Sequence, residues 1–177
     1  MTDDALVAAI REIEAHAAES GWDQPARLFA LVPTDDLVRR EPALASALGI
    51  AEGGVEGSLT PVEQEAVADD QLERLLETIS WPDNVAGCAT IVERLVLPPG
   101  ADAELPEGRR EAAAFAREHP DRQEVRIVAG ATRAGATYCA LRLRAHDEPG
   151  SVLTGPDLVP GLLELLAATL QEDTSDE

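Results

Sequence analysis

Lysine is absent from this chain, so all 14 of its basic residues are arginine, and they face 34 acidic ones. The formal charge of −20 and pI of about 4.3 oppose attraction to phosphate and to anionic lipid, so neither nucleic acid nor a membrane surface is expected as a partner. Aromatics make up only 3%, which leaves Trp22, Trp81, Phe29, Phe115 and Tyr138 as the large fillers of a core built mainly from Leu, Val, Ile and Ala. Cysteine occurs twice, at Cys88 and Cys139, with no CxxC and no neighbouring His, which excludes a disulfide framework and a zinc site and predicts two buried thiols. No apolar run reaches the roughly 18 residues of a membrane span, and Met1 to Ile10 carries two Asp and no basic n-region. A cytoplasmic location is therefore expected. GxSxG, HExxH, Walker A and Rossmann fingerprints are all missing, so nothing points to a nucleophile, a metal or a cofactor, and none is expected.

What is present suffices for one domain. A chain of 177 residues with 45% hydrophobic content can close a core without staples, and it predicts one α+β domain over 1–171 with a disordered acidic tail at 172–177. Leu6, Ile10, Ile13 and Ala17 recur at helical spacing, so a helix is expected over Thr2 to Ser20. The apolar run Arg27 to Val32, closed by Pro33, predicts a buried strand. Thr34-Asp-Asp-Leu predicts a short helix ending near Glu41-Pro42, followed by a glycine-rich loop over 46–58. Thr60-Pro-Val-Glu63 has the form of a capping box with Pro at the first helical position, so a helix is expected to start there. Leu72, Leu75, Leu76 and Ile79 form a further helical stripe.

Val85 to Leu97 predicts a long central strand, and Arg109 to Glu118 a weak Ala-rich helix. Glu124 to Arg133 and Thr137 to His146 predict a β-hairpin about Ala134-Gly135. A last helix is expected over Asp157 to Gln171, capped by Asp157, with Leu162, Leu163, Leu166 and Leu170 on its apolar face. This order fits a mostly antiparallel sheet of about four strands covered by helices, with a helix at each terminus.

The candidate site lies on the hairpin. Between Arg122 and His146 five arginines face one acidic residue, Glu124, a reversal of sign within a −20 protein. Strand alternation puts Arg142, Arg144 and His146 on one face, with Arg126 on the neighbouring strand. Arg126, Arg142 and Arg144, joined by Arg94 and His146, are expected to form a basic sheet face that receives the acidic groups of a partner. The same arginines can instead pair with the protein's own carboxylates, which are plentiful. Glu93 and Arg94 are adjacent in an otherwise apolar strand, so they point to opposite faces and each needs a partner elsewhere. His146-Asp147 at the hairpin exit is a weak candidate for acid–base chemistry.

The stretches Gly21-Trp-Asp-Gln-Pro-Ala-Arg-Leu-Phe-Ala-Leu-Val-Pro33, Leu59-Thr-Pro-Val-Glu-Gln-Glu65, Trp81-Pro-Asp-Asn-Val-Ala-Gly-Cys88, Val92-Glu-Arg-Leu-Val-Leu-Pro98 and His119-Pro120 resemble a family of small uncharacterised proteins of actinobacteria. The resemblance spans nearly the whole chain and brings no activity, cofactor or site residue with it. In charge and element order the chain also looks like bacterial secretion chaperones, which implies binding of another polypeptide and dimerisation, although the segment Thr34 to Ile79 departs from that pattern. The expected function is thus a non-catalytic, chaperone-like interaction module, with a homodimer formed through the C-terminal helix. The alternative is a small-molecule-binding protein or enzyme with a site between the sheet and the 34–79 helices, using Glu93, Arg94 and His146.

Overall fold

A computed structural model describes residues 4–47, 57–68, 71–96, 122–146 and 148–171, with isolated positions between 108 and 118. Helix α1, Asp4–Ser20, buries Leu6, Ala9, Ile10, Ile13 and Ala17 as one stripe, and Gly21 ends it with a left-handed φ of 81°. Strand β1 is Ala26–Pro33, and α2, Thr34–Arg40, starts directly from it. Pro42 forces a break at Glu41 and then opens α3, Pro42–Ala47. Next come β2, Leu59–Val67, α4, Leu72–Leu76, and β3, Gly87–Val96. Strands β4, Gln123–Thr132, and β5, Thr137–Leu143, make the hairpin, and β6, Leu153–Gly155, and α5, Pro160–Thr169, end the described chain.

The six strands join into one sheet in the order β2-β1-β3-β4-β5-β6, every neighbouring pair antiparallel. Side-chain alternation divides it into two faces. On one, Phe29, Leu31, Ala89, Ile91, Val128 and Ala140 pack against α1. On the other, Ala26, Leu28, Cys88, Val92, Ala129 and Cys139 pack against Leu72 and Leu76 of α4 and Leu163, Leu166 and Leu170 of the α5 end. Gly130 lets α1 come close: a Cβ there would sit 2.6 Å from Ile10 Cδ1 and 3.2 Å from Leu6 Cδ1. Gly135, at φ 96°, closes the three-residue hairpin loop in the left-handed conformation such loops require.

The α+β class and the antiparallel sheet match the sequence expectation, but the described residues hold six strands rather than about four. One of the added strands is β2, where a helix was expected from Thr60-Pro-Val-Glu63. Thr60 caps nothing: its hydroxyl lies 2.8 Å from that of Thr34, which also accepts from Ser58 Oγ at 2.9 Å. With that anchor, residues 59–67 pair along β1, and Pro61 is tolerated because β2 is an edge strand. The other added strand is β6, whose three residues are too few to show a period. The hairpin's second strand also stops at Leu143, and Arg144–His146 forms a 3-10 turn, so alternation does not carry through to His146. Val159, not Asp157, is the residue preceding α5, with Pro160 at its first turn. The segment expected as a helix over 109–118 lies largely outside the described residues, and the acidic tail over 172–177 lies wholly outside them.

Candidate functional site

Register brings the charged residues of the sheet into one row. Glu93 of β3 lies opposite Arg126 of β4, which lies opposite Arg142 of β5, all on the face that α1 covers. Two arginines side by side repel, the more so when buried, and these are 2% and 5% exposed. The compensation comes from α1. Glu14, 6% exposed, accepts from Arg142 Nε at 3.1 Å and Nη2 at 2.5 Å, while its other oxygen lies 3.8 Å from Arg126 Nη1. Glu14 falls one residue after Ile13 on the apolar stripe, so the helix that covers the sheet also delivers the counter-charge.

The turn between α1 and β1 is held by the same row. Glu93 accepts the backbone N–H of Asp23 at 2.8 Å and of Gln24 at 2.9 Å, which fixes Asp23 at a left-handed φ of 66°. Arg126 donates to the Gly21 carbonyl at 2.7 Å and lies over the Trp22 ring at 4.4 Å, with Arg144 5.7 Å from the same ring. Arg144 reaches both carboxylate oxygens of Asp23, at 2.9 and 3.1 Å, and Glu124 at 3.0 Å. The bond to Asp23 pushes the pKa of the Arg144 guanidinium upward.

Of the residues expected on one basic face, the structure thus gathers Arg126, Arg142 and Arg144 around α1 and its exit turn. Arg94 points to the opposite face, where it pairs with Glu73 of α4. His146 ends the 3-10 turn after β5. Glu93 and Arg94 do diverge to the two faces, as their adjacency dictates.

Space near these groups is uneven. The cavity enclosed by Ala17, Gly21, Arg27, Glu93 and Arg126 is about 10 Å³, room for about one water and no substrate. An open hollow of about 610 Å³ lies at the ends of β3 and β4, bordered by Asp23, Glu93, Arg94 and Glu124. Its charged groups are already engaged, Asp23 and Glu124 by Arg144, Glu93 by two backbone amides and Arg94 by Glu73. That is a poor arrangement for proton transfer. A third space, about 460 Å³, runs between α1 and the sheet face of β5 and β6, lined by Arg11, Glu14, Ala15, Ala18, Ala140, Arg142, Val152 and Thr154.

Three participants were missed in the sequence. Glu14 gives a signal in hindsight, a carboxylate beside the apolar stripe of α1. Arg11 lies one turn before Ala15 on the groove side of α1. Arg133 is the third: its guanidinium donates to the carbonyls of Val85 at 2.7 Å, Trp81 at 3.0 Å, Pro82 at 2.9 Å and also Leu170, binding the hairpin turn to the 81–85 loop and the end of α5. Both thiols are buried; burial pushes Cys88 up to about 11 and raises Cys139, which leaves neither as a ready nucleophile. Among the described residues no group of His, Cys, Asp and Glu is placed to hold a metal ion, and no helix is long and apolar enough to cross a membrane.

Over residues 6–171 the chain matches the family model described as PPA1309-like protein, and it belongs to that family. No curated protein and no solved structure matches it.

Proposed function

We propose that this member of the PPA1309-like family is a non-catalytic interaction module that holds an acidic, extended polypeptide segment in the groove between α1 and the β5–β6 face. The groove is the observation that carries this reading. Its volume of about 460 Å³ falls within the ~300–1,000 Å³ of ordinary ligand sites, and Ala15, Ala18 and Ala140 keep its walls low enough for a backbone to lie close. Arg11 is exposed on its α1 wall and gives this stretch of an acidic protein a preference for carboxylates, while Arg142 at its base stays paired with Glu14, which lines the same groove. Arg126 and Arg144 act from behind, holding α1 and its exit turn in place. Self-association accompanies binding, but not through the apolar face of α5, which is already packed on the sheet through Leu163, Leu166 and Leu170.

The test is selection of peptides from a random display library on the immobilised protein, followed by fluorescence anisotropy with the enriched sequence. Enrichment of acidic peptides is expected, with affinity falling more than tenfold in Ala15→Glu, a change at an exposed helix position that puts a carboxylate into the groove. Absence of enrichment, or equal binding by that variant, would overturn the reading.

A further inference from the structure

We infer that a second copy of the chain completes this groove, by pairing its β6 with β6 of the first across a two-fold axis perpendicular to the sheet. The inference rests on the polypeptide-binding reading above and adds the partner that finishes the site.

The two edges of the sheet differ in how they are defended. Among the described residues β2 and β6 are the two edges, and β2 carries Pro61 and Glu63, devices that discourage pairing with another chain. Edge strand β6, Leu153-Thr-Gly155, has neither charge nor proline, and the whole segment from Ser151 to Pro156 is uncharged. In a protein of charge −20, two copies repel almost everywhere, and they meet most easily where carboxylates are fewest. The same edge shows apolar surface. Leu153 is 61% exposed and Leu158 39%, two of the three exposed large hydrophobics among the described residues. Leu158 packs over Gly155, 3.2 Å from where a Cβ would stand, so the two leucines flank one stretch of strand.

A three-residue strand supplies few main-chain bonds, so the apolar contact must carry much of the association. The proposed axis fits that need. It runs β6 antiparallel to its copy, keeps the α5 side of both sheets on the same side, and sets Leu153 and Leu158 of each copy near those of the other.

On the opposite side it makes one site from two halves. Helix α1 packs mainly over β4 and β5, which leaves the β6 end of its sheet face uncovered. With strands about 4.8 Å apart, the α1 axis lies roughly 10 Å from the seam, so the two α1 helices stand roughly 20 Å apart. Helices about 10 Å thick leave a channel about 10 Å wide, floored by β5 and β6 of both copies. That width takes one extended chain with its side chains. Arg11 of each copy then faces it from the two α1 walls, while Arg142 on each floor stays paired with Glu14.

Sedimentation equilibrium and cysteine cross-linking on the full chain test this. Wild type is expected to be a dimer that tightens as salt rises, because screening weakens the repulsion between copies. Leu153→Asp is expected to be monomeric with an unchanged circular dichroism spectrum, its site being mostly exposed. Thr154→Cys, at the centre of the seam, is expected to form an intermolecular disulfide on mild oxidation, where buried Cys88 and Cys139 do not compete, while Gln64→Cys on the β2 edge is not. A monomeric wild type, or a dimer that survives Leu153→Asp and does not cross-link at 154, would overturn the inference. Should Leu153→Asp bind the selected peptide as well as wild type does, peptide binding stands and completion by a second copy falls. A 154-linked dimer for which no peptide is enriched supports the seam and sinks the polypeptide reading.

Discussion

Glu14 sits between two arginines that a sheet would not otherwise tolerate side by side. Removing it leaves Arg126 and Arg142 buried without their carboxylate, so Glu14→Gln is expected to destabilise the fold by about 3–5 kcal/mol in urea denaturation. Replacing Glu14, Arg126 and Arg142 together with Leu, Met and Met is expected to recover most of that loss, because an apolar trio avoids the desolvation of all three charges. Arg133 is a second residue whose partners define it. Its donors answer the carbonyls of Val85, Leu170, Trp81 and Pro82, and Arg133→Met is expected to cost about 2–4 kcal/mol in the same measurement. Cys88 gives a pH dependence. Its thiol is held protonated up to about 11 in the folded chain, against 9.0 for the free group, so the unfolded chain loses this proton first as pH rises. Stability contributed at Cys88 is therefore complete below about pH 9 and is lost between about pH 9 and 11, which Cys88→Ala should largely abolish.

At the level of elements, the α1–β1 turn is the piece most dependent on long-range contacts. Glu93→Ala removes the acceptor of two amides, and hydrogen exchange is expected to accelerate at Asp23 and Gln24 while β3 and β4 amides stay protected. Uniform exchange across the turn in both proteins would contradict the clasp. Elements with a strong internal period were legible in the sequence: α1 through its stripe from Leu6 to Ala17, the hairpin through its alternation and Gly135, and β1 and β3 as apolar runs. Strand β2 was not, because Thr60-Pro-Val-Glu63 satisfies helix-start rules locally and the deciding contacts, Thr60 with Thr34 and the ladder to β1, lie far away in sequence. The site was half legible. Arg126 and Arg142 were found by alternation, but their partner Glu14 comes from a helix 112 residues before Arg126, and only the packing of α1 on the sheet brings them together. Arg94 was grouped with them by charge alone, and its place in β3 turns it to the other face.

The whole molecule combines a neutralised interior charge row with an acidic exterior and one uncharged sheet edge. In the proposed assembly that distribution ties binding to association: a single chain would offer half a groove, and a pair would offer a channel for one polypeptide. Association should therefore strengthen when the acidic peptide is present, and peptide affinity should fall in Leu153→Asp although that residue faces away from the groove. The most direct measurement is isothermal titration of the wild-type protein with a display-selected acidic peptide, run beside Ala15→Glu. One peptide bound per two chains of wild type, and none by the variant, is the expected result. Binding of one peptide to each chain, or undiminished binding by Ala15→Glu, would contradict the account.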